Sequence, residues 1–312
     1  MRCCALVLAG LVLAHAADAR EPDGRLGLLV LPNDTRPTFL TVDRQLVIVA
    51  RQEAAISLNS ASDGEPLSII WRATPDGLFQ GTCALPQDTP PGTYSLEAVA
   101  GDTTDHVARS VIVYDSFPKS YSFAHLTDFG GGTPSESLGE ADFVVVTGDL
   151  TSDGRPEEIR TALGALSRLQ RPTIVNPGTA AIASGLAEAY FGPSPFVVHY
   201  GEDAYLGHHL LPDSGPAQAN PAAALHTLRR SIRAARWSIG LLSGAGPNAA
   251  MRDQLILFHD DPLDYAIVAI PAQTDPFSWG RTAVHGPFDE SPPITLFEVD
   301  ALGVRPIAGL KE

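Results

Sequence analysis

Cysteine is scarce in this chain: there are three in 312 residues, and two of them, Cys3 and Cys4, stand within the first four positions. They open an apolar run, residues 3–13, that follows Arg2 and ends in the small residues Ala14, Ala16, Ala17 and Ala19. That order is the pattern of a secretory signal peptide, residues 1–19, cut after Ala16 or Ala19; the run is too short to span a bilayer. Because the cysteines precede the run, they do not read as a lipid-attachment site. The expected location is therefore secreted or periplasmic. Only Cys83 remains in such an exported chain, which excludes an internal disulfide and leaves stability to the core. Its flanks, LFQGTCAL, read as a buried, inert thiol. No later stretch is apolar for long enough to make a transmembrane helix. Positive charge is also short: 21 Lys and Arg against 36 Asp and Glu give a net charge of −15. Removing residues 1–19 takes away Arg2 and Asp18, which cancel, so the balance stands. An acidic surface of this kind excludes nucleic acid and anionic membrane as natural partners. What the chain does have is 44% hydrophobic residues and only 18% charged ones, enough for packed cores in two domains.

The second of those domains is organised around residues 141–154, ADFVVVTGDLTSDG. Phe143, Val144, Val145 and Val146 form an apolar run too short for a helix and rich in β-branched residues, which predicts a buried strand. Gly148, Asp149, Asp153 and Gly154 mark a turn, and Pro156-Glu157-Glu158 a helix start. Asp149 is thus placed at the carboxyl end of a strand, the edge at which open α/β sheets bind ligands. The plainer alternative is that Asp149 caps the turn. A second strand, YSFAHL, ends at Thr127-Asp128, so two parallel neighbours would bring Asp128 and Asp149 to one sheet edge, the usual start of a divalent-metal or phosphoester site.

Residues 20–116 show a different pattern. Short candidate strands at 26–31, 38–42, 45–50, 54–58, 67–72, 78–85, 93–100 and 106–114 alternate with turn signals, which predicts a β-sandwich. Pro90-Pro91-Gly92-Thr93-Tyr94-Ser95-Leu96 resembles the tyrosine corner of immunoglobulin-like domains, with Leu96 where antibody domains carry cysteine and Trp71 a candidate core tryptophan. This expects a spacer or docking module.

Residues 117–312 resemble the calcineurin-like metallophosphoesterases. AHLTD with Asp128 is similar to that family's first block, FVVVTGDLTSDG with Asp149 to its second, and RPTIVNPGTAA at 171–181 to the strand and turn of its third. The runs 189–201, 251–271 and 294–307 are similar to the family's later strands. The resemblance implies a layered α/β/β/α domain behind the all-β sandwich, and a hydrolytic site built on a pair of metal ions. The departures concern that site. Gly130 stands where the first histidine ligand belongs, Thr179, Ala180 and Ala181 replace Asn, His and Asp, the strand ending at Ala269 carries no histidine, and no Gly-His-x-His occurs. Two carboxylates without a surrounding shell cannot hold two ions about 3.5–4 Å apart.

Three readings are open. In the first, the chain is a non-catalytic relative that binds or organises an unknown protein or phosphorylated ligand, with no cofactor. In the second, it is an active hydrolase in which Asp128 and Asp149, with His125 or His285, hold Mn, Fe or Zn. His208-His209 is an adjacent pair that points opposite ways on a strand, which is poor ligand spacing, and His259 with Asp260 and Asp261 falls in a loop before a strand, where solvated acids are ordinary. A third reading makes the sandwich the partner-binding part and the other domain its scaffold. The glycines 130–132 are open between an anion nest and a filler. The helix after Asn220-Pro221 carries Arg229, Arg230, Arg233 and Arg236, open between a phosphate-binding face and a solvated one paired with local acids.

Overall fold

The computed structural model describes residues 25–60, 64–127, 138–210, 232–244, 263–269, 283–285 and 294–307. The chain divides into two compact units at Asp115/Ser116.

The N-terminal unit is all β: β1 (Leu29–Leu31), β2 (Thr38–Thr41), β3 (Gln45–Ala50), β4 (Ala55–Asn59), β5 (Gly64–Leu67), β6 (Ile70–Ala73), β7 (Phe79–Ala84), β8 (Gly92–Ala100) and β9 (Thr103–Tyr114). They form one sheet in the order β1-β3-β7-β6 and another in the order β2-β9-β8-β4-β5. Alternation decides which side chains are interior: Tyr94, Leu96 and Ala98 of β8 are buried and meet Leu46, Ile48, Ile56, Leu58, Val111 and Val113 in one core. The Tyr94 hydroxyl donates to the Pro90 carbonyl at 2.6 Å, closing the corner that PPGTY announces. Two expectations change. The single strand expected at 67–72 is two, because the chain leaves one sheet after Leu67 and joins the other at Ile70. Trp71 is only partly buried: it lies on β6, an edge strand, against the bare backbone of Gly81, while Ile56 and Leu58 of β4 fill the core.

The C-terminal unit has two sheets. Its strands are β10 (Tyr121–Thr127), β11 (Phe143–Gly148), β12 (Thr173–Pro177), β13 (Phe196–Tyr200), β14 (Asp203–Leu210), β15 (Ser238–Gly244), β16 (Tyr265–Ala269), β17 (Ala283–His285), β18 (Ile294–Asp300) and β19 (Gly303–Ile307). Its described helices are α1 (Pro156–Ser167), α2 (Thr179–Ala183) and α3 (Ala187–Phe191). The first sheet runs β12-β11-β10-β18-β19, with β10, β11 and β12 parallel; the second runs β13-β14-β15-β16-β17, parallel from β14 on. No described helix is long and apolar enough to cross a membrane.

Period-two alternation sorts the first sheet into two faces. Ala124, Leu126, Val144, Val146 and Val175 turn to the helices, where Ile159, Ala162, Leu163 and Leu166 of α1 and Tyr190 and Phe191 of α3 bury them. Each of the valine, leucine, isoleucine and phenylalanine side chains is worth roughly 1.5–3 kcal/mol. The opposite face meets the second sheet. Phe123 stands edge-on to Tyr205 at 5.6 Å and is stacked with Phe297 at 4.9 Å. The amino-terminal end of this inter-sheet layer is bolted by a carboxylate. Asp203, wholly buried, accepts from Arg236 Nε at 2.9 Å and Nη2 at 2.6 Å, from the Trp237 amide at 3.1 Å and from the Tyr121 hydroxyl at 2.9 Å. Tyr121 belongs to the first sheet and Asp203 to the second, so the bolt joins the two. Trp237 Nε1 adds a second tie, to the Asp300 carbonyl at 2.8 Å.

Candidate functional site

The carboxyl ends of the parallel strands are where the sequence places chemistry. β10 and β11 are parallel neighbours, with Thr127 beside Thr147. Asp128, the next residue, lies outside the described residues, as do Gly130, Gly131, Gly132 and His259. Asp149 follows β11 directly and is half-buried. Its Oδ1 accepts the Ala180 amide at 3.3 Å, in the first turn of α2. The fit is close: a Cβ at Gly178 would collide with that carboxylate oxygen, and one at Gly154, whose φ is +68°, would collide with the Ala180 carbonyl. Glycine at both positions lets the loop after β11 seat itself on the loop after β12.

His125 is buried and turns inward, between the sheets, like Phe123 two residues before it. Its Nε2 lies 2.7 Å from Thr147 Oγ1, and its ring stands edge-on to Phe297 at 6.2 Å. His285 ends β17 beside Ile267, and its side chain is outside the described residues. His208 and His209 do take opposite faces of β14 and are both buried, since this strand is covered on both sides.

Sequence reasoning passed over the group at the centre of this edge. Asn176, fully buried at the end of β12, reaches across to the second sheet. Its Nδ2 lies 2.7 Å from the Leu241 carbonyl, 3.1 Å from the His208 carbonyl and 3.1 Å from Ser243 Oγ. Ser243 Oγ donates its one proton to the Pro177 carbonyl at 2.8 Å, and His209 Nδ1 lies 3.0 Å away. A serine hydroxyl has one proton and two acceptor positions. With the proton spent on Pro177, both Asn176 Nδ2 and His209 Nδ1 must donate to it, which assigns His209 the Nδ1–H tautomer. The available signal in the sequence is an asparagine in an otherwise apolar strand, Thr-Ile-Val-Asn-Pro.

The donors in view do not fit a two-ion shell. Asp149 is engaged with a helix amide and His125 with a threonine. Among the described residues no three His, Cys, Asp or Glu side chains gather as a metal-holding group. Arg236, expected on a basic helix face, instead serves Asp203, while Arg233 is exposed and Arg229 and Arg230 lie outside the described residues.

No family model matches the chain, and no curated protein matches it. Among solved structures, a phosphatase of Mycoplasma pneumoniae is 14% identical over 62% of this chain and 94% of its own, with a TM-score of 0.36. A Staphylococcus aureus chain described as a 5′-nucleotidase, in complex with alpha-ketoglutarate, is 9% identical over 60% of this chain, with a TM-score of 0.35. This chain spans only 53% of that one. A titin M10–obscurin-like 1 Ig complex is 12% identical over 29% of this chain and 91% of its own, with a TM-score of 0.19. Likenesses this distant leave the function of this chain to be read from its own strand order and hydrogen bonds.

Proposed function

We propose that this is an exported, non-catalytic relative of the metallophosphoesterases, which binds or organises a protein or phosphorylated partner and needs no cofactor. The observation that carries it is that the groups at the carboxyl edge are engaged by the protein itself: Asp149 Oδ1 with the Ala180 amide, His125 Nε2 with Thr147, and Asn176 Nδ2 and His209 Nδ1 each with Ser243. Two facing sheets with α1 and α3 on the outer face of the first support a layered α/β/β/α domain. An immunoglobulin-like sandwich before it is supported by the strand orders β1-β3-β7-β6 and β9-β8-β4 and by the Tyr94 corner. The acidic balance supports a partner other than nucleic acid, and the apolar run at 3–13 supports export.

The test is metal content after dialysis together with hydrolysis of an aryl phosphate in Mn²⁺. The expected result is substoichiometric metal and no turnover above the blank, unchanged by Asp149→Asn. Metal near one equivalent, with turnover lost in Asp149→Asn, overturns the proposal. It would establish instead a hydrolase that holds Mn, Fe or Zn through Asp128, Asp149 and His125 or His285. Deleting residues 20–115 and repeating a partner pull-down separates binding by the sandwich from binding by the second domain.

A further inference from the structure

Residues 116–120 lead into β10, and all but Phe117 are exposed. A connecting segment of this kind is ordinarily open to proteases. Here three contacts hold it to the C-terminal unit. The Phe117 ring stands edge-on to Tyr200 at 5.3 Å. It also covers the backbone of Gly201, where φ is +61° and an added Cβ would come within 3.0 Å of the ring. Beyond it, Arg236 Nη1 donates to the Lys119 carbonyl at 3.0 Å. Arg236 is itself held rigid, because its other two nitrogens grip the buried Asp203.

We propose that Phe117-Pro118-Lys119 is a strap latched onto the C-terminal unit, and that the latch shields the Lys119–Ser120 bond from trypsin-like proteases. Cleavage needs the segment extended in the protease cleft and the Lys119 carbonyl turned to the protease's own amide donors. In the latched strap that carbonyl is committed to Arg236. The bond is therefore cut only from the opened state, at a rate set by the opening equilibrium.

The experiment is limited trypsin digestion of the full chain, with the cut after Lys119 identified by mass and cuts at other sites used as internal controls. Phe117→Ala removes a half-buried ring without touching Arg236 or Asp203, and should speed that one cut by about tenfold. Phe117→Leu should give an intermediate acceleration of about threefold, and serves if the alanine variant does not fold. Arg236→Lys, which keeps the charge but loses the fork, should speed the same cut. Wild-type protein cut after Lys119 as fast as the folded Phe117 variants overturns the proposal, as does acceleration spread equally over all sites.

Discussion

Asp203→Asn is the most direct challenge to the account of how the two sheets of the C-terminal unit are joined. In the native protein each carboxylate oxygen accepts two donors: Oδ1 takes Arg236 Nε and the Trp237 amide, Oδ2 takes Arg236 Nη2 and the Tyr121 hydroxyl. An amide keeps the shape but must turn its NH₂ toward one of those pairs of donors, whichever way it is flipped, and it leaves Arg236 without its countercharge. Breaking a buried ion pair by removing one partner costs about 3–5 kcal/mol. The Asp203 side chain is 1% exposed but that of Arg236 is 27% exposed, so water can partly resolvate the guanidinium. The expected loss is therefore at the lower end, about 3 kcal/mol. For a unit of this size that corresponds to roughly 6–12 °C in Tm. The assay is urea unfolding followed by tryptophan fluorescence in a Trp71→Phe background, which removes the signal of the N-terminal unit. Asp203→Asn/Arg236→Met should recover part of the loss, because it also removes the orphaned charge. A single-variant loss under about 0.5 kcal/mol, within the range of an ordinary exposed pair, would refute the idea that this carboxylate bolts the sheets.

Three further outcomes are expected. Burial, then the neighbouring Tyr205 and Asp203, push the Tyr121 phenol far above the usual tyrosine range. Its contribution to stability is thus whole below about pH 10 and is lost as pH rises beyond it, where only the unfolded phenol ionises, so Tyr121→Phe should flatten the fall in urea-derived stability by about 1.4 kcal/mol per pH unit. Asn176→Ala should cost about 2–3 kcal/mol by leaving buried acceptors without a donor, and Asn176→Asp more, since an ionised carboxylate offers them none; equal stability of the three proteins in urea would contradict the bridging role. Burial pushes the Cys83 thiol up to about 11; with Cys3 and Cys4 replaced by serine, a thiol reagent at pH 8 should find no reactive group in the native protein and one after denaturation.

What the sequence made legible were features with a local period or a local partner. Tyr94, Leu96 and Ala98 alternate, and they are buried as the alternation requires. Ile159, Leu163 and Leu166 recur at helical spacing, and α1 buries them. The strands β10 and β11 follow from two apolar runs too short to be helices, while their parallel pairing, only a condition in the sequence, is given by the structure. Features joined over long separations were hidden. Asn176 and Ser243 are 67 positions apart, and neither has a neighbour in sequence that announces the other. Arg236 reads as one more charge on a basic face because its partner Asp203 is 33 positions away. β15 went unread because Gly240 and Gly244 interrupt its apolar pattern, although Gly240 is the residue that makes room for Leu263. The split between β5 and β6 is a change of sheet, which no one-dimensional pattern records.

The two ends of the inter-sheet layer differ in kind, and the difference bears on the proposed loss of chemistry. At the amino end a buried charge is kept, because four donors surround one carboxylate. At the carboxyl end the described contacts between the sheets are made by neutral groups: an amide, a hydroxyl, an imidazole and backbone carbonyls. A cation recruiting those groups would have to break several hydrogen bonds, each worth roughly 0.5–1.5 kcal/mol net and more if a partner is stranded in the interior. It would also have to draw the Asp149 oxygen off the Ala180 amide. Carboxylates gathered at such an edge without ions would repel one another and lose hydration, which neutral contacts there avoid. Asn176 makes such contacts, which is why its replacement by aspartate, more than by alanine, is the substitution that puts this explanation at risk.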